Sequence, residues 1–288
     1  MNGYLIQTES RLGWKLMAPS VAVIVLLIVY PILYNIYLSF FDVKLTGTKA
    51  FIGVANYKKL ILDGAFYSSL LTTTIYLAGT VIGTTALGLL VALLMNLRFP
   101  LRNIVRTIIL LPYFAPVISV VFGWQFIFDP VNGIYNHTVV DVLKLTPVRH
   151  NLIGNPKTAL LVVIIFDIWK HFPISYLLIL AKLQSIDKQQ YEAAAMDGCG
   201  PITRFCYITL PELYFVLGAV VILRLIWNLN KFEDVFLLAP NVQTLPIYTY
   251  YTAFTGIIDQ GLAASISVVQ FLFLSLLIFF YVKKILKW

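Results

Sequence analysis

Hydrophobic positions in this chain fall into long unbroken blocks. They do not show the alternation of a half-buried strand or the single stripe of a surface helix. Six blocks run nearly free of charge, at 17–40, 65–96, 107–128, 158–181, 213–230 and 262–282. A transmembrane helix needs about 20 predominantly apolar residues, so each block predicts one. Charge enters only the fourth, at Asp167 and Lys170, and the fifth, at Arg224. A seventh stretch, 235–258, is also uncharged, but it holds Pro240, Asn241, Gln243, Thr244 and Pro246. Proline removes a backbone donor, and bare polar groups are costly in lipid. This stretch therefore reads as an irregular external or re-entrant segment.

Parity agrees with six. An even number puts the tail of Lys283, Lys284 and Lys287 on the same side as Arg11 and Lys15, as the positive-inside tendency asks. The inner segments 1–16, 97–106, 182–212 and 283–288 then carry 11 Lys/Arg in 63 residues, against 8 in 84 for the outer segments 41–64, 129–157 and 231–261. Both termini are expected in the cytoplasm. The first block is too long for a signal-peptide core and lacks a small-residue cleavage site, so it reads as a retained span. The organisation is a cytoplasmic N-terminus, 1–16, and one transmembrane domain, 17–288. No internal repeat, low-complexity tract or linker is visible.

Composition excludes the soluble alternative. Of 288 residues, 60% are hydrophobic and 12% charged, where a soluble domain carries about 25% charged residues. The net charge of +8 would suggest nucleic acid in a soluble protein; here basic cytoplasmic loops account for it, and no nucleic-acid partner is expected. Cys199 and Cys206 are too few for a disulfide framework. No P-loop, nucleophile elbow or zinc-type spacing occurs. The chain is expected to be no enzyme and to hold no metal or cofactor of its own. Energy for uphill transport would come from an ion gradient or another subunit.

The loop from Ser185 to Gly198 carries the most information. Asp187 suits an N-cap, with Gln190 at N3 as a capping-box variant. Tyr191–Met196 are mostly helix formers, and Gly198 suits a helix stop. Gly200-Pro201 starts a second short helix. A helix lying on lipid should be rich in Lys/Arg; this one offers Lys188 and then Glu192 and Asp197. An acidic knob of this kind suits docking to a protein.

Tyr191-Glu-Ala-Ala-Ala-Met-Asp-Gly198, followed by Ile208-Thr-Leu-Pro211, closely resembles the EAA loop of ABC-importer permeases. The resemblance extends over nearly the whole chain to the carbohydrate-uptake, maltose/glycerol-phosphate type. It includes Phe51–Tyr57, Leu87–Asn96, Arg106–Pro112 and Trp124–Gly133. One departure is Leu238-Ala-Pro-Asn-Val-Gln-Thr244, where sugar permeases often carry a Gly-Gly-Pro-rich stretch. The resemblance implies an all-α integral membrane protein with six spans and the type I ABC importer permease fold. It implies partners: a second homologous permease, two cytoplasmic ATPases that hold ATP and Mg, an extracytoplasmic solute-binding protein, a carbohydrate substrate and membrane lipid. It makes the EAA loop a coupling helix. Tyr191, Glu192, Ala193, Ala194, Asp197 and Gly198 would meet the ATPase, with Glu192 in a charge-assisted contact.

Ionisable groups inside spans are expensive and usually face a cavity. Asp167, Lys170 and His171 share one helical face at i, i+3 and i+4, and Arg224, Trp227, Asn228 and Lys231 form a similar face on the fifth span. Pro173 is expected to open the fourth helix near its site. By the resemblance, the sugar contacts fall on Asp167, His171 and Ile174, with Lys170 beside them, and on Arg224, Trp227, Asn228 and Lys231. Trp227 would stack on a sugar ring. The face is more charged than a neutral sugar requires, which suggests an anionic or strongly polar group on the substrate. A purely structural ion pair, Asp167 with Lys170 or Arg224, is the competing reading. At the level of function, a permease for a non-sugar solute such as glycerol phosphate and an ion-coupled secondary transporter with Asp167 as proton relay stay open.

Overall fold

The computed structural model describes residues 14, 16–43 and 48–283. The basic residues Arg11, Lys15, Lys284 and Lys287 lie outside them. The chain divides into two compact units, residues 1–66 with 249–272 and residues 67–248 with 273–288.

In the first unit, helix α1 (Leu16–Leu38) carries no charged residue and is long and apolar enough to span a membrane. It leads into a hairpin of β1 (Phe41–Val43) and β2 (Lys49–Phe51), paired antiparallel with Phe41 opposite Phe51. Asn56, on α2 (Ala55–Leu62), ties this turn down by donating to the carbonyls of Ser39 and Phe41, each at 3.0 Å. Residue 261 must be glycine, because a Cβ there would sit 2.0 Å from the Phe41 carbonyl oxygen.

The second unit holds the middle of the chain. Helix α3 (Gly64–Asn96) is the second span. The third span is broken: α4 (Arg102–Phe114) and α5 (Val117–Ile127) meet at 93°. The block 107–128 reads as one helix in hydropathy alone. Ala115, however, precedes Pro116 and is pushed to an extended backbone, φ −66° and ψ 138°. Helix α6 (Pro156–Ser185) is the fourth span, with Asn155 capping its start by accepting from Lys157 N–H. The expected opening at Pro173 does not occur. The helix runs through it, with Phe172 and Tyr176 on either side packed into the core against Ala92, Leu213 and Val220.

Helix α7 (Lys188–Met196) follows, and α8 (Pro201–Leu229) is the fifth span. The second helix of the loop is therefore not a separate short element. It continues into the span through a widened turn at Phe205–Thr209, just before Pro211. That turn accommodates a proline that has no N–H and whose ring crowds the preceding carbonyls. The stretch 235–258 is more regular than its prolines suggest. It forms α9 (Glu233–Leu238) and α10 (Leu245–Phe254) around a turn at 239–244. Pro246 sits in the first turn of α10, where no N–H is required. At ten residues, α10 is too short to span a membrane. Helix α11 (Gln260–Tyr281) is the last span.

Helices α3 and α6 approach closely along a line of glycines. A Cβ on Gly88 would lie 2.7 Å from the Ser175 Cβ, and one on Gly83 2.2 Å from the Ile168 Cδ1. This close approach lets the polar groups of the two spans reach each other.

Candidate functional site

Helix α3 carries a stripe of Ser69, Thr73, Tyr76, Thr80 and Thr84, all buried and spaced three or four residues apart. The threonine hydroxyls donate back along the helix: Thr80 to the Tyr76 carbonyl at 2.7 Å and Thr84 to the Thr80 carbonyl at 2.6 Å. Their oxygens then keep lone pairs free to accept from other spans. Thr80 Oγ1 accepts from Asn228 Nδ2 at 2.7 Å, and Thr84 Oγ1 from Arg224 Nε at 3.3 Å.

The Asp167 carboxylate sits at the centre. Oδ2 accepts from Arg224 Nη2 at 2.9 Å and from Asn228 Nδ2 at 3.2 Å. Oδ1 accepts from the Tyr76 hydroxyl at 3.2 Å and lies 3.0 Å from His171 Nδ1. Four donors fill a carboxylate. A buried ion pair repays its desolvation only when its remaining valences are met in this way.

A second tier extends from His171. Its Nε2 lies 3.0 Å from Lys231 Nζ. An ammonium has no lone pair to offer, so Nε2 accepts and Nδ1 bears the hydrogen that faces Asp167. Lys231 Nζ also lies 3.0 Å from Asp234 Oδ2. Asp167, His171 and Asp234 hold their ligand atoms within 4.8 Å of one another, an arrangement that could coordinate a metal. The Lys231 ammonium is bonded to two of the three and takes the place of such a cation.

Four polar atoms of the cluster are buried and have no hydrogen-bond partner: Lys170 Nζ, Arg224 Nη1, Asn228 Oδ1 and Asp234 Oδ2, the last held by Lys231 in charge only. Of the two partners expected for Asp167, Lys170 does not pair with it and Arg224 does. The structure thus brings Asp167, His171, Arg224, Asn228 and Lys231 together and buries Lys170 next to Asp167 and His171 on α6. Ile174 is partly buried, and Trp227 is 43% exposed where Arg224 and Asn228 on the same helix are buried. Sequence reasoning missed Tyr76, Thr80, Thr84 and Asp234. The polar stripe on the second span was a usable signal for the first three.

The loop after α6 is built as a rigid reversal. Asp187 accepts from Gln189 N–H at 2.9 Å and starts α7. The helix ends with Cys199 N–H donating to the Ala194 carbonyl and Gly198 N–H to the Ala195 carbonyl, with Gly198 at φ +76°. These two bonds with a left-handed glycine form a Schellman cap. Tyr191 Oη lies 2.8 Å from Thr209 Oγ1 and fastens α7 to α8, while Lys182 Nζ, 2.8 Å from Glu212 Oε2, ties α6 to α8. Glu192, Ala193, Met196, Asp197 and Gly198 are exposed, and Ala194 is partly so.

Comparison with known proteins agrees with this architecture. Residues 84–287 match the family described as binding-protein-dependent transport system inner membrane component. The chain is 40% identical over 272 residues to the inner membrane ABC transporter permease protein YcjO of Escherichia coli, covering 94% of this chain and 92% of that one. It is 32% identical over 267 residues to the trehalose/maltose transport system permease protein MalF of Thermococcus litoralis, covering 91% and 90%. Among solved structures, a chain of a bacterial alginate ABC transporter in complex with an alginate pentasaccharide-bound periplasmic protein superposes with a TM-score of 0.83. Identity there is 19%, over 95% of this chain and 93% of that one. The broken third span, the fastened exposed reversal and the matched sequence carry one conclusion: this chain belongs to the binding-protein-dependent transport system inner membrane components, the six-span permease subunits of ABC importers.

Proposed function

We propose that this permease carries a sugar or oligosaccharide across the cytoplasmic membrane and binds it at the Asp167–Arg224–Asn228 cluster. The observation that carries this reading is the set of unpaired buried atoms around a saturated carboxylate: donors at Arg224 Nη1 and Lys170 Nζ and acceptors at Asn228 Oδ1 and Asp234 Oδ2. A buried polar atom without a partner costs about 1–3 kcal/mol. A saccharide supplies both hydroxyl donors and hydroxyl acceptors and would meet that need. Trp227, exposed on the same helix, offers an aromatic face for a ring, and Ile174 an apolar wall. The Thermococcus relative's name, trehalose/maltose, supports the substrate class.

In this reading the chain pairs with a second homologous permease and two cytoplasmic ATPases, which hold ATP and Mg. An extracytoplasmic binding protein delivers the solute. Both termini and the loop 182–212 face the cytoplasm. Closure of the ATPases moves α7 and, through its fastened flanks, α6 and α8, which carry the binding cluster. Alternating access follows from rocking these helices about the site.

Uptake of radiolabelled maltose and trehalose by vesicles carrying the whole importer tests this. Uptake is expected to require ATP, to persist with an ionophore, and to fall at least tenfold in Asn228→Ala and Trp227→Ala importers that assemble normally. ATP-driven uptake of these sugars that neither substitution alters would overturn the site. Uptake abolished by the ionophore with ATP present would return the chain to an ion-coupled mechanism.

A further inference from the structure

The charges of the buried cluster do not balance. Arg224 is matched by Asp167 at 2.9 Å and Lys231 by Asp234 at 3.0 Å. Lys170 is the third cation, 3% exposed, and its Nζ has no hydrogen-bond partner. Its charged surroundings are Asp234, Lys231, Glu233 and Asp167. The Asp167 carboxylate is saturated, Asp234 is matched in charge by Lys231 although its Oδ2 accepts no hydrogen bond, Lys231 adds repulsion, and Glu233 is exposed. The nearest aromatic face, Phe166, has its centroid 6.0 Å from Nζ, at the outer limit of a cation–π contact.

An unpaired ammonium in a membrane interior is costly. Proteins retain one where something else completes it, and the neighbouring unpaired atoms, Arg224 Nη1 and Asn228 Oδ1, belong to the same cluster. Neutral hydroxyls would satisfy those two atoms and leave the positive charge uncompensated. A carboxylate or sulfonate would satisfy Lys170 as well, through a charge-assisted bond of about twice the strength of a neutral one. We infer that Lys170 is the anion-recognising residue of the translocation site and that the substrate is an acidic saccharide, a sugar bearing a carboxylate or sulfonate. This rests on the proposed location of the sugar site in the cluster.

The test uses the intact importer in lipid nanodiscs, without its binding protein, so that only the membrane site is read. Calorimetry compares maltose and trehalose with their uronic-acid counterparts, in which a primary alcohol is oxidised to a carboxylate. The acidic member of each pair is expected to bind at least tenfold more tightly, with the ratio weakening as salt is raised. Lys170→Gln should bring the ratio close to one, and Lys170→Arg should retain most of it. Lys170→Met guards against misfolding: if the lysine serves only as a buried stem, this variant binds both members as the parent does, which would overturn the inference. Neutral sugars that bind as tightly as acidic ones would also overturn it and leave the carbohydrate site standing. No binding by either kind would remove the carbohydrate site and the inference with it.

Discussion

Arg224 Nη2 on the fifth span lies 2.9 Å from Asp167 Oδ2 on the fourth, with both side chains 1% exposed. Removing one partner leaves the other as an uncompensated buried charge, whereas removing both leaves none. Arg224→Ala is expected to destabilise the chain by about 3–5 kcal/mol. The double variant Asp167→Leu/Arg224→Met should recover most of that loss while transport stays absent. Thermal unfolding of the detergent-solubilised importer measures both. A double variant no more stable than Arg224→Ala would mean that the pair is held for some reason other than charge compensation.

The glycines between α3 and α6 are not equivalent. A Cβ on Gly88 would press on the Ser175 Cβ at 2.7 Å and the Tyr176 backbone nitrogen at 3.0 Å, whereas one on Gly83 meets only side-chain atoms of Ile168. Backbone cannot rotate away, and an isoleucine tip can. Gly88→Ala should cost about 1–3 kcal/mol by overpacking and Gly83→Ala less. Melting temperatures in the reverse order would contradict the helix packing described above.

The reversal after α7 depends on Gly198 at φ +76°. A side chain there costs roughly 1–2 kcal/mol. Asparagine tolerates the left-handed region better than alanine. Gly198→Asn should therefore couple better than Gly198→Ala when ATP hydrolysis and uptake are measured side by side. Glu192→Ala changes an exposed residue and should leave folding intact while lowering sugar-stimulated hydrolysis about tenfold or more. Unchanged stimulation would place the ATPase contact elsewhere.

The segment 129–157 is pinned by one buried side chain. Asn136 donates to the Pro130 and His150 carbonyls and accepts from the His150 N–H at 2.8 Å. Asn136→Ala leaves these backbone groups bare, at a cost of about 1–3 kcal/mol. Limited proteolysis of sealed, right-side-out vesicles should show faster cleavage within 129–157 and no change elsewhere. Equal rates would mean that Arg149, which bonds Asp141 at 2.9 Å, holds the segment without Asn136.

The blocks of hydrophobicity and the Asp187 to Gly198 signals were readable because they are local. Hydropathy needs only a run of about 20 residues, and a cap or a Schellman glycine is decided within one helical turn. Pro173 does not open its helix, and 235–258, although no span, is more regular than expected, for a shared reason. Proline is a local breaker only where its missing N–H is needed and its ring cannot be accommodated. The core around Phe172 and Tyr176 packs α6 on both sides of Pro173, where the helix stays continuous, and Pro246 falls in the first turn of α10.

The sequence by itself determined the five unbroken spans, the exposed acidic reversal and the presence of charge in the fourth and fifth helices. Each of these is a property of neighbouring residues. It could not decide which charge meets which. Lys170 and Arg224 lie 3 and 57 positions from Asp167, and helical spacing alone favours the nearer. The tertiary structure chose the farther because the arginine fork also reaches Thr84 on α3, and Asn228, one turn on along α8, bonds both Thr80 on α3 and Asp167. A buried charge is stabilised by the whole shell of donors around it, and that shell exists only once the helices have packed.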